Sequence, residues 1–364
     1  AENPWRPSAG DNESSLYIAQ LANNDLTYEK KHELNFGIDA GFLNNRINFT
    51  FDIYSRRNYD LIGVINTLGT GGEPRKYGNV AKMKSNGVEI ALNTVNIKTK
   101  DFTWTTDLIY SHMHNEVTEL NTLNRMYDYI SGSGFTMPGY PQRSLFSIPF
   151  MGLNNEGLPT FLDQDGNVSV TGINMQEYDP ERLKFLKYEG PVDPTDVGSL
   201  GNVFRYKGVT LNLFITYSFG NVVRLDPVFS SSYSDLTATP KEFKDRWVKP
   251  GDENFTNVPV IASKQQLNNI AYLSTAYQAY NYSTERVAKG DFIRMKEISL
   301  GYEFPKSITQ PLRLSNLSLK LMATNLFLIY ADKKLNGQDP EFFNAGGVAN
   351  PMPKQFTLTL KLGI

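Results

Sequence analysis

The sequence contains no cysteine, and its 36 Lys and Arg are balanced by 38 Asp and Glu, which gives a formal net charge of −2. The lack of cysteine excludes disulfide bonds and thiolate metal sites. The lack of a basic excess argues against nucleic acid as a partner, because phosphate binding favours clustered Lys and Arg. No segment approaches the roughly 18 consecutive apolar residues of a transmembrane helix. The sequence therefore predicts no helical membrane span.

The clearest pattern in the sequence is the alternation of apolar and polar residues over the last ten positions, 355–364. Successive side chains of a β-strand point to opposite faces, so this segment has one apolar face and one polar face. About ten such residues are enough for a tilted strand to cross a bilayer. The pattern predicts a membrane-spanning strand with these apolar positions: Phe356, Leu358, Leu360, Leu362 and Ile364.

The same alternation recurs along the chain and predicts nine strands, near 33–42, 46–57, 85–96, 102–115, 196–206, 208–219, 291–304, 315–330 and 355–364. Short connections alternate with four long ones, 58–84, 116–195, 220–290 and 331–353. Outer-membrane barrels combine short periplasmic turns with long extracellular loops. The sequence therefore predicts an all-β fold, an antiparallel transmembrane β-barrel, of which this chain supplies about nine strands.

Local signals support individual strands. Asn44-Asn45 and Lys207-Gly208 are pairs suited to tight hairpin turns. Within 291–304 the alternation slips by one position near Lys296-Glu297, which predicts a β-bulge there. An odd strand count differs from the even count of bacterial single-chain barrels. We therefore expect that part of the barrel is missing upstream of the first strand.

The polar positions of the predicted strands should face the water-filled interior of such a barrel. Six of them serve as lumen-facing predictions: Asp39, Asp52, Asp107, Asn212, Thr357 and Lys361.

Two loops contain candidate binding residues. Tyr272, Tyr277, Tyr280 and Tyr282 in the second long excursion are suited to stacking on sugar rings or packing a peptide, or to holding the long loop to itself. The run that begins with Asp163, Asp165 and Asn167 resembles the start of a calcium loop. Val168 stands where that loop needs Gly, and Asn174 where it needs Glu, so an ordinary polar turn is the alternative. No arrangement typical of an enzyme or of a cofactor site is found.

Several short runs, in the same order along the chain, resemble the carboxyl-terminal half of the SusC-like TonB-dependent transporters. The longest is Phe292-Ile293-Arg294-Met295-Lys296-Glu297-Ile298-Ser299-Leu300-Gly301-Tyr302. The family usually closes on an aromatic residue, and Ile364 differs in this respect. The other matching runs include Asn24-Asp25-Leu26-Thr27-Tyr28-Glu29, Asn86-Gly87-Val88-Glu89, Thr324-Asn325-Leu326-Phe327 and Gln338-Asp339-Pro340-Glu341.

The resemblance implies a 22-stranded barrel with a plug, the size class of outer-membrane transporters, in the outer membrane of a Gram-negative bacterium. It implies import of an oligomeric nutrient, glycan or peptide. The implied partners are the remaining amino-terminal barrel and plug polypeptide, a SusD-like surface lipoprotein as lid, TonB, and outer-membrane lipid. The lumen-facing residues would then contact plug and water rather than substrate, and the long loops would provide recognition and lid docking.

Two alternatives remain open from the sequence. The first is a soluble secreted β-sandwich, such as an adhesin or a carbohydrate-binding protein, in which the apolar faces of two sheets cover each other. The second keeps the barrel but makes it a structural partner in a larger outer-membrane assembly. The first predicts a covered apolar face, and the barrel predicts an uncovered one.

Overall fold

The computed structural model describes residues 23–67, 75–120, 124–130, 134–229, 239–342 and 353–364. These residues contain nine long strands, in chain order β1 Lys30–Phe42, β2 Ile47–Asn66, β3 Arg75–Lys98, β4 Phe102–Leu120, β10 Asp196–Tyr206, β11 Val209–Phe219, β14 Phe292–Glu303, β15 Asn316–Ala331 and β16 Gln355–Gly363. Between them lie seven short strands: β5 Ser144–Ser147, β6 Phe150–Leu153, β7 Pro159–Leu162, β8 Val168–Ser169, β9 Lys187–Pro191, β12 Val222–Arg224 and β13 Val287–Lys289.

The helices are short. The α-helices are α1 Met126–Ile130, α2 Lys264–Asn269, α3 Leu273–Asn281 and α4 Lys306–Thr309. Single 3₁₀ turns occur at Arg182–Phe185, Lys241–Asp245, Asp252–Asn254, Thr284–Arg286, Lys333–Leu335 and Pro340–Phe342. Within the described ranges, none of these helices has the length and apolar content that crossing a membrane requires.

The nine long strands form one antiparallel sheet in the order β1-β2-β3-β4-β10-β11-β14-β15-β16. Each strand pairs with the next long strand along the chain, so the sheet is a simple meander. Within the described part of the chain, β1 and β16 each pair on one side only. The all-β antiparallel fold with nine strands, predicted from the alternation, is confirmed.

The pairing register gives the sheet one apolar face. Directly opposed residues share a face, and Leu213 lies opposite Ile298 while Leu321 lies opposite Leu358. Leu358 and Phe356 remain 68% and 71% exposed. Nothing in the described residues covers this face as a second sheet would. The β-sandwich alternative requires that cover, so the structure does not support it.

The predicted irregularities are found where the sequence indicated. Phe214 of β11 pairs with Glu297 and Ile215 pairs with Met295, which leaves Lys296 as the extra residue of a β-bulge. The hairpin turns hold Asn44, Asn45 and Lys207 at positive φ, followed in the second turn by Gly208. These backbone conformations match the twist of the flanking strands.

The first long connection differs most from the prediction. Residues 58–84 were expected to form a loop, but β2 continues to Asn66, β3 begins at Arg75, and the two strands remain paired out to Asn66 and Arg75. β4 likewise extends to Leu120 rather than ending near 115. The hairpins at this corner of the sheet are thus longer than the apolar alternation indicated.

The other correction concerns the two largest excursions, 116–195 and 220–290, which are not open loops. Their described residues between β4 and β10 and between β11 and β14 pack together into one folded unit, which we call the cap. The cap contains most of the buried apolar side chains of the described chain, contributed by both excursions: Met126, Ile130, Ile148, Leu158, Phe161, Val228, Phe229, Leu273, Tyr277 and Tyr280. The sheet, in contrast, has little apolar core of its own.

Candidate functional site

The six predicted lumen-facing residues all lie on the face of the sheet opposite the apolar one. The register connects them through directly opposed residues: Asp39 with Thr50, Asp52 with Glu89, Asp107 with Asn93, Asn212 with Ser299, Thr357 with Met322 and Lys361 with Ser318. The face is therefore predominantly polar from the first strand to the last.

Hydrogen bonds between strands order this polar face at its β1–β4 end. The Thr50 hydroxyl donates to Asp39 Oδ1 at 2.7 Å, and the Asn93 amide donates to Asp107. Asp52 lies over Gly37 on the neighbouring strand, where any Cβ would clash with its carboxylate oxygen. Glycine at position 37 therefore allows the Asp52 side chain to lie flat against the sheet.

A second polar group lies near the bulge. The Asn212 amide donates to Glu297 Oε1 at 3.1 Å, and Lys320 Nζ lies 3.7 Å from the same carboxylate oxygen. The bulge at Lys296 keeps Glu297 on the polar face while its apolar neighbours stay on the other. This stretch of wall thus presents amide, carboxylate and ammonium groups side by side.

The four candidate tyrosines of the cap separate into two kinds. Tyr280 is fully buried, Tyr277 is buried and donates its hydroxyl to the Val260 carbonyl at 2.6 Å, and burial raises the pKa of Tyr280. Tyr282 packs edge-on against Tyr127, with ring centroids 5.9 Å apart, and burial raises its pKa to about 12. The Tyr277 bond holds the second excursion to itself, whereas the Tyr282 contact joins it to the first excursion.

Tyr272 is different, because its side chain is 73% exposed. It is the residue that precedes α3, and its backbone is left-handed, with φ 62°. Of the four tyrosines, it is the one whose ring faces solvent freely and can contact a ligand.

The candidate calcium residues form an ordinary tight turn between β7 and β8. Asp163 Oδ1 accepts the backbone N–H groups of Asp165 and Asn167 at 3.0 and 2.8 Å. The Asp165 side chain instead turns to Arg182, at 2.8 Å. Among the residues described, no three acidic or histidine side chains converge as metal ligands. These residues thus make the hydrogen bonds of an ordinary polar turn, and the calcium hypothesis stays a prediction.

Sequence reasoning missed a part-buried arginine, Arg224, that joins the two excursions. Arg224 donates to Ser147 Oγ and the Ser283 carbonyl at 3.0 Å and to the Phe146 carbonyl at 2.6 Å, which connects residues of both excursions. Burial lowers the pKa of Arg224 to about 10, so the guanidinium stays charged at neutral pH. The available signal was an arginine inside the apolar run 222–225.

Comparison with known proteins identifies the family. Residues 5–226 match the family model described as TonB dependent receptor-like, beta-barrel. The chain belongs to this family. In outer-membrane barrels the apolar side of the wall meets lipid and the polar side faces the interior, and the register gives this sheet one apolar and one polar face.

Relatives of this receptor family match nearly the whole chain. The TonB-dependent receptor P39 of Formosa agariphila is 26% identical over 91% of this chain, and the TonB-dependent receptor SusC of Bacteroides thetaiotaomicron is 26% identical over 98%. The solved RagAB peptide transporter has the same fold over 97% of this chain, with a TM-score of 0.73 and 24% identity. The chain spans about a third of the length of the curated relatives, 34% in both cases.

Proposed function

We propose that this chain forms the carboxyl-terminal part of the barrel of an outer-membrane importer of oligomeric nutrients, either glycan or peptide. Membership of the TonB-dependent receptor family supports this function. The named relatives include SusC and a peptide transporter, RagAB. We place the protein in the outer membrane of a Gram-negative bacterium.

The observation that carries the proposal is the two-faced sheet. Apolar side chains such as Leu358 and Leu213 share one face, while the six polar residues from Asp39 to Lys361 share the other. Hydrocarbon outside and water inside require this separation in a transmembrane barrel. A closed wall with a polar lining is what passage of a hydrophilic nutrient needs.

The connections support an orientation. Those at one end of the sheet are short, such as 43–46 and 207–208, whereas the cap and the described residues 332–342 after β15 lie at the other end. Short turns are periplasmic in such barrels and long connections extracellular. We propose that the cap faces outward, where it first meets the nutrient.

The proposed partners follow from this arrangement. The free sides of β1 and β16 would pair with the remaining amino-terminal barrel strands, to a total of 22, and a plug polypeptide would fill the lumen against Asp52 and its neighbours. A SusD-like lipoprotein would cover the cap as a lid, and TonB would pull the plug from the periplasm.

Uptake by cells that carry the full-length receptor tests the proposal. Fluorescent neutral hexasaccharides and hexapeptides are offered to matched strains with and without a functional TonB system, and the accumulated label is measured. We expect uptake of one class that disappears without TonB. Uptake that is independent of TonB would contradict energised import. If deleting the receptor changes neither class, the barrel has a structural role in a larger assembly instead.

A further inference from the structure

A cleft of about 630 Å³ lies in the cap between the two excursions. One wall belongs to the first excursion and the other to helix α3 of the second. The side chains that matter for its chemistry are Arg125, Asn174 and Gln176 on one wall and Tyr272, Thr275 and Gln278 on the other. The cleft is thus a product of the way in which the excursions pack, and neither forms it alone.

The periodicity of α3 explains why polar residues line this wall. Leu273, Ala276, Tyr277 and Tyr280 are buried in the cap core, at the spacing of one helix face. Tyr272, Thr275 and Gln278, spaced three apart, fall on the neighbouring face and open to the cleft. The buried face fixes the helix, so the polar face is held in place before any ligand arrives.

Tyr272 presents an aromatic ring at the mouth of this cleft. Its left-handed backbone, φ 62° and ψ 15°, is uncommon for a bulky residue and strained. The ring gains little burial in return, because it is 73% exposed. An exposed ring on a strained backbone contributes little to the fold, and stacking on a ligand would give it a function.

The opposite wall carries a pre-oriented arginine whose charge is already balanced. Arg125 Nη2 lies 3.2 Å from Asp128 Oδ1, and Nη1 donates to Gln176 Oε1 at 3.2 Å. Burial by itself would raise the pKa of Asp128, but the hydrogen bonds and the charge of Arg125 lower it overall. The pair is therefore ionised at neutral pH. No carboxylate is among the residues that line the cleft. The lining therefore suits a neutral polar ligand better than an anion or a cation.

The backbone of the first wall is not available for pairing with a peptide strand. The N–H groups of Gly172, Asn174 and Gln176 already donate to side chains, namely Ser169 Oγ at 3.0 Å, Gln164 Oε1 at 3.4 Å and Asn174 Oδ1 at 3.0 Å. An extended peptide is usually held by a free row of main-chain groups. Recognition here has to come from side-chain amides, hydroxyls and the ring, which suits the hydroxyl groups of a sugar.

We propose that this cleft binds a segment of a neutral oligosaccharide, with one sugar ring stacked on Tyr272 and hydroxyl groups bonded by Gln176, Gln278 and Arg125. The proposal rests on the proposed import function and assigns its first contact to the cap. It makes Tyr272 a specificity-determining residue, because stacking on a flat ring selects sugars by the face that they present.

Calorimetric titration of the purified full-length receptor tests the cleft. The probes are maltohexaose, cellohexaose, xylohexaose and mannohexaose, together with a mixed set of neutral hexapeptides. We expect at least one hexasaccharide to bind, Tyr272→Ala to weaken its binding about tenfold, which corresponds to about 1.4 kcal/mol, and Tyr272→Trp to restore it. Phe255→Ala is the control, because Phe255 is an exposed cap aromatic outside the cleft.

The outcomes separate this inference from the import function. If no hexasaccharide binds, or if the wild type and Tyr272→Ala bind equally, the oligosaccharide site is wrong. If hexapeptides bind instead and Tyr272→Ala weakens them, the cleft is a peptide site and the proposal is also overturned. TonB-dependent uptake is measured separately in the same variants, so import can hold while the assignment of the cleft fails.

Discussion

Thr357 and Leu358 are adjacent residues of β16 that face different surroundings. The register places Thr357 opposite Met322 on the polar face and Leu358 opposite Leu321 on the apolar face. A charge on the lipid face of a barrel strand loses its hydration, whereas a charge in the lumen keeps it. The two positions therefore provide a matched test of which side meets lipid.

We expect Leu358→Arg to destabilise the folded full-length barrel by about 2–4 kcal/mol, the range for Arg near the bilayer midplane, and Thr357→Arg to have much less effect. Urea titrations in lipid vesicles, followed by the heat-modifiable shift of the folded band on gels, measure both. Equal losses at the two positions would show that the faces are assigned wrongly.

Glu253 in the cap illustrates how one carboxylate couples stability to pH. Trp247 Nε1 donates to Glu253 Oε2 at 2.9 Å, and the Trp247 ring lies over Gly157, where a Cβ would clash with it. The bond from Trp247, with the backbone N–H groups nearby, lowers the pKa of Glu253. A carboxyl group with a lowered folded pKa stabilises the fold above its unfolded value and loses that contribution as the pH falls through the lowered value.

We expect the indole fluorescence of Trp247 to shift as the pH falls below about 4.3, the ordinary pKa of a glutamate. Glu253→Gln keeps an oxygen acceptor but cannot titrate, so its emission should stay constant over the same range. Glu156→Gln, at an exposed cap glutamate, is the control and should follow the wild type. Identical pH profiles for all three proteins would exclude Glu253 as the titrating group.

At the scale of the element, the bulge in β14 determines which side chains lie on the apolar face of the sheet. After Lys296, even-numbered residues such as Ile298 and Leu300 lie on the apolar face of the sheet. Before Lys296, the odd-numbered residues Ile293 and Met295 lie on that face. Because the side-chain period of a strand is two, one inserted residue exchanges the faces. Without it, Arg294 would turn toward hydrocarbon.

Deletion of Lys296 is therefore expected to prevent assembly of the full-length barrel, whereas Lys296→Ala keeps the extra residue and should assemble normally. The fraction of heat-modifiable receptor in the outer membrane measures the outcome. Normal assembly of the deletion variant would mean that the register is not fixed by this bulge.

The extent of the strands shows what alternation can reveal. The strands near 196–206 and 208–219 were predicted within a residue of Asp196–Tyr206 and Val209–Phe219. The ends of β2 and β3 were not, because the segment from Arg56 to Asp60 is polar on both faces. Apolar and polar residues alternate only in the part of a strand that has one face in an apolar environment. A strand segment outside that part lacks the alternation and is predicted as a loop.

For the whole molecule, the cap and the sheet are held together by different forces. The sheet is ordered by its ladders and by its polar and apolar faces, whereas the cap has a close-packed core centred on residues such as Tyr280 and Phe161. The sequence could not reveal this core, because its members come from two excursions separated by two strands. Nor could it tell the buried Tyr280 from the exposed Tyr272, which differ in contacts and not in type.

We expect Tyr280→Ala to open the cap and leave the barrel assembled. Removal of a large buried aromatic side chain costs about 3–5 kcal/mol, and the loss falls on the cap core. Limited proteolysis of intact cells should then cleave within the cap, while the heat-modifiable band persists. Tyr178→Ala, at an exposed position, is the control. Concerted loss of cap and barrel would show that they fold as one unit.

Among the described residues, β1 and β16 each pair on one side only, which has a consequence for the order of events when the proposed barrel assembles. Each of these strands has a row of backbone amide and carbonyl groups that must be hydrogen-bonded before hydrocarbon surrounds the strand. In water, such edge strands can pair with any extended segment, including a second copy of the same chain. In the barrel that we propose, the strands that complete the wall therefore have to be present during insertion, and closure of the wall has to accompany insertion rather than follow it.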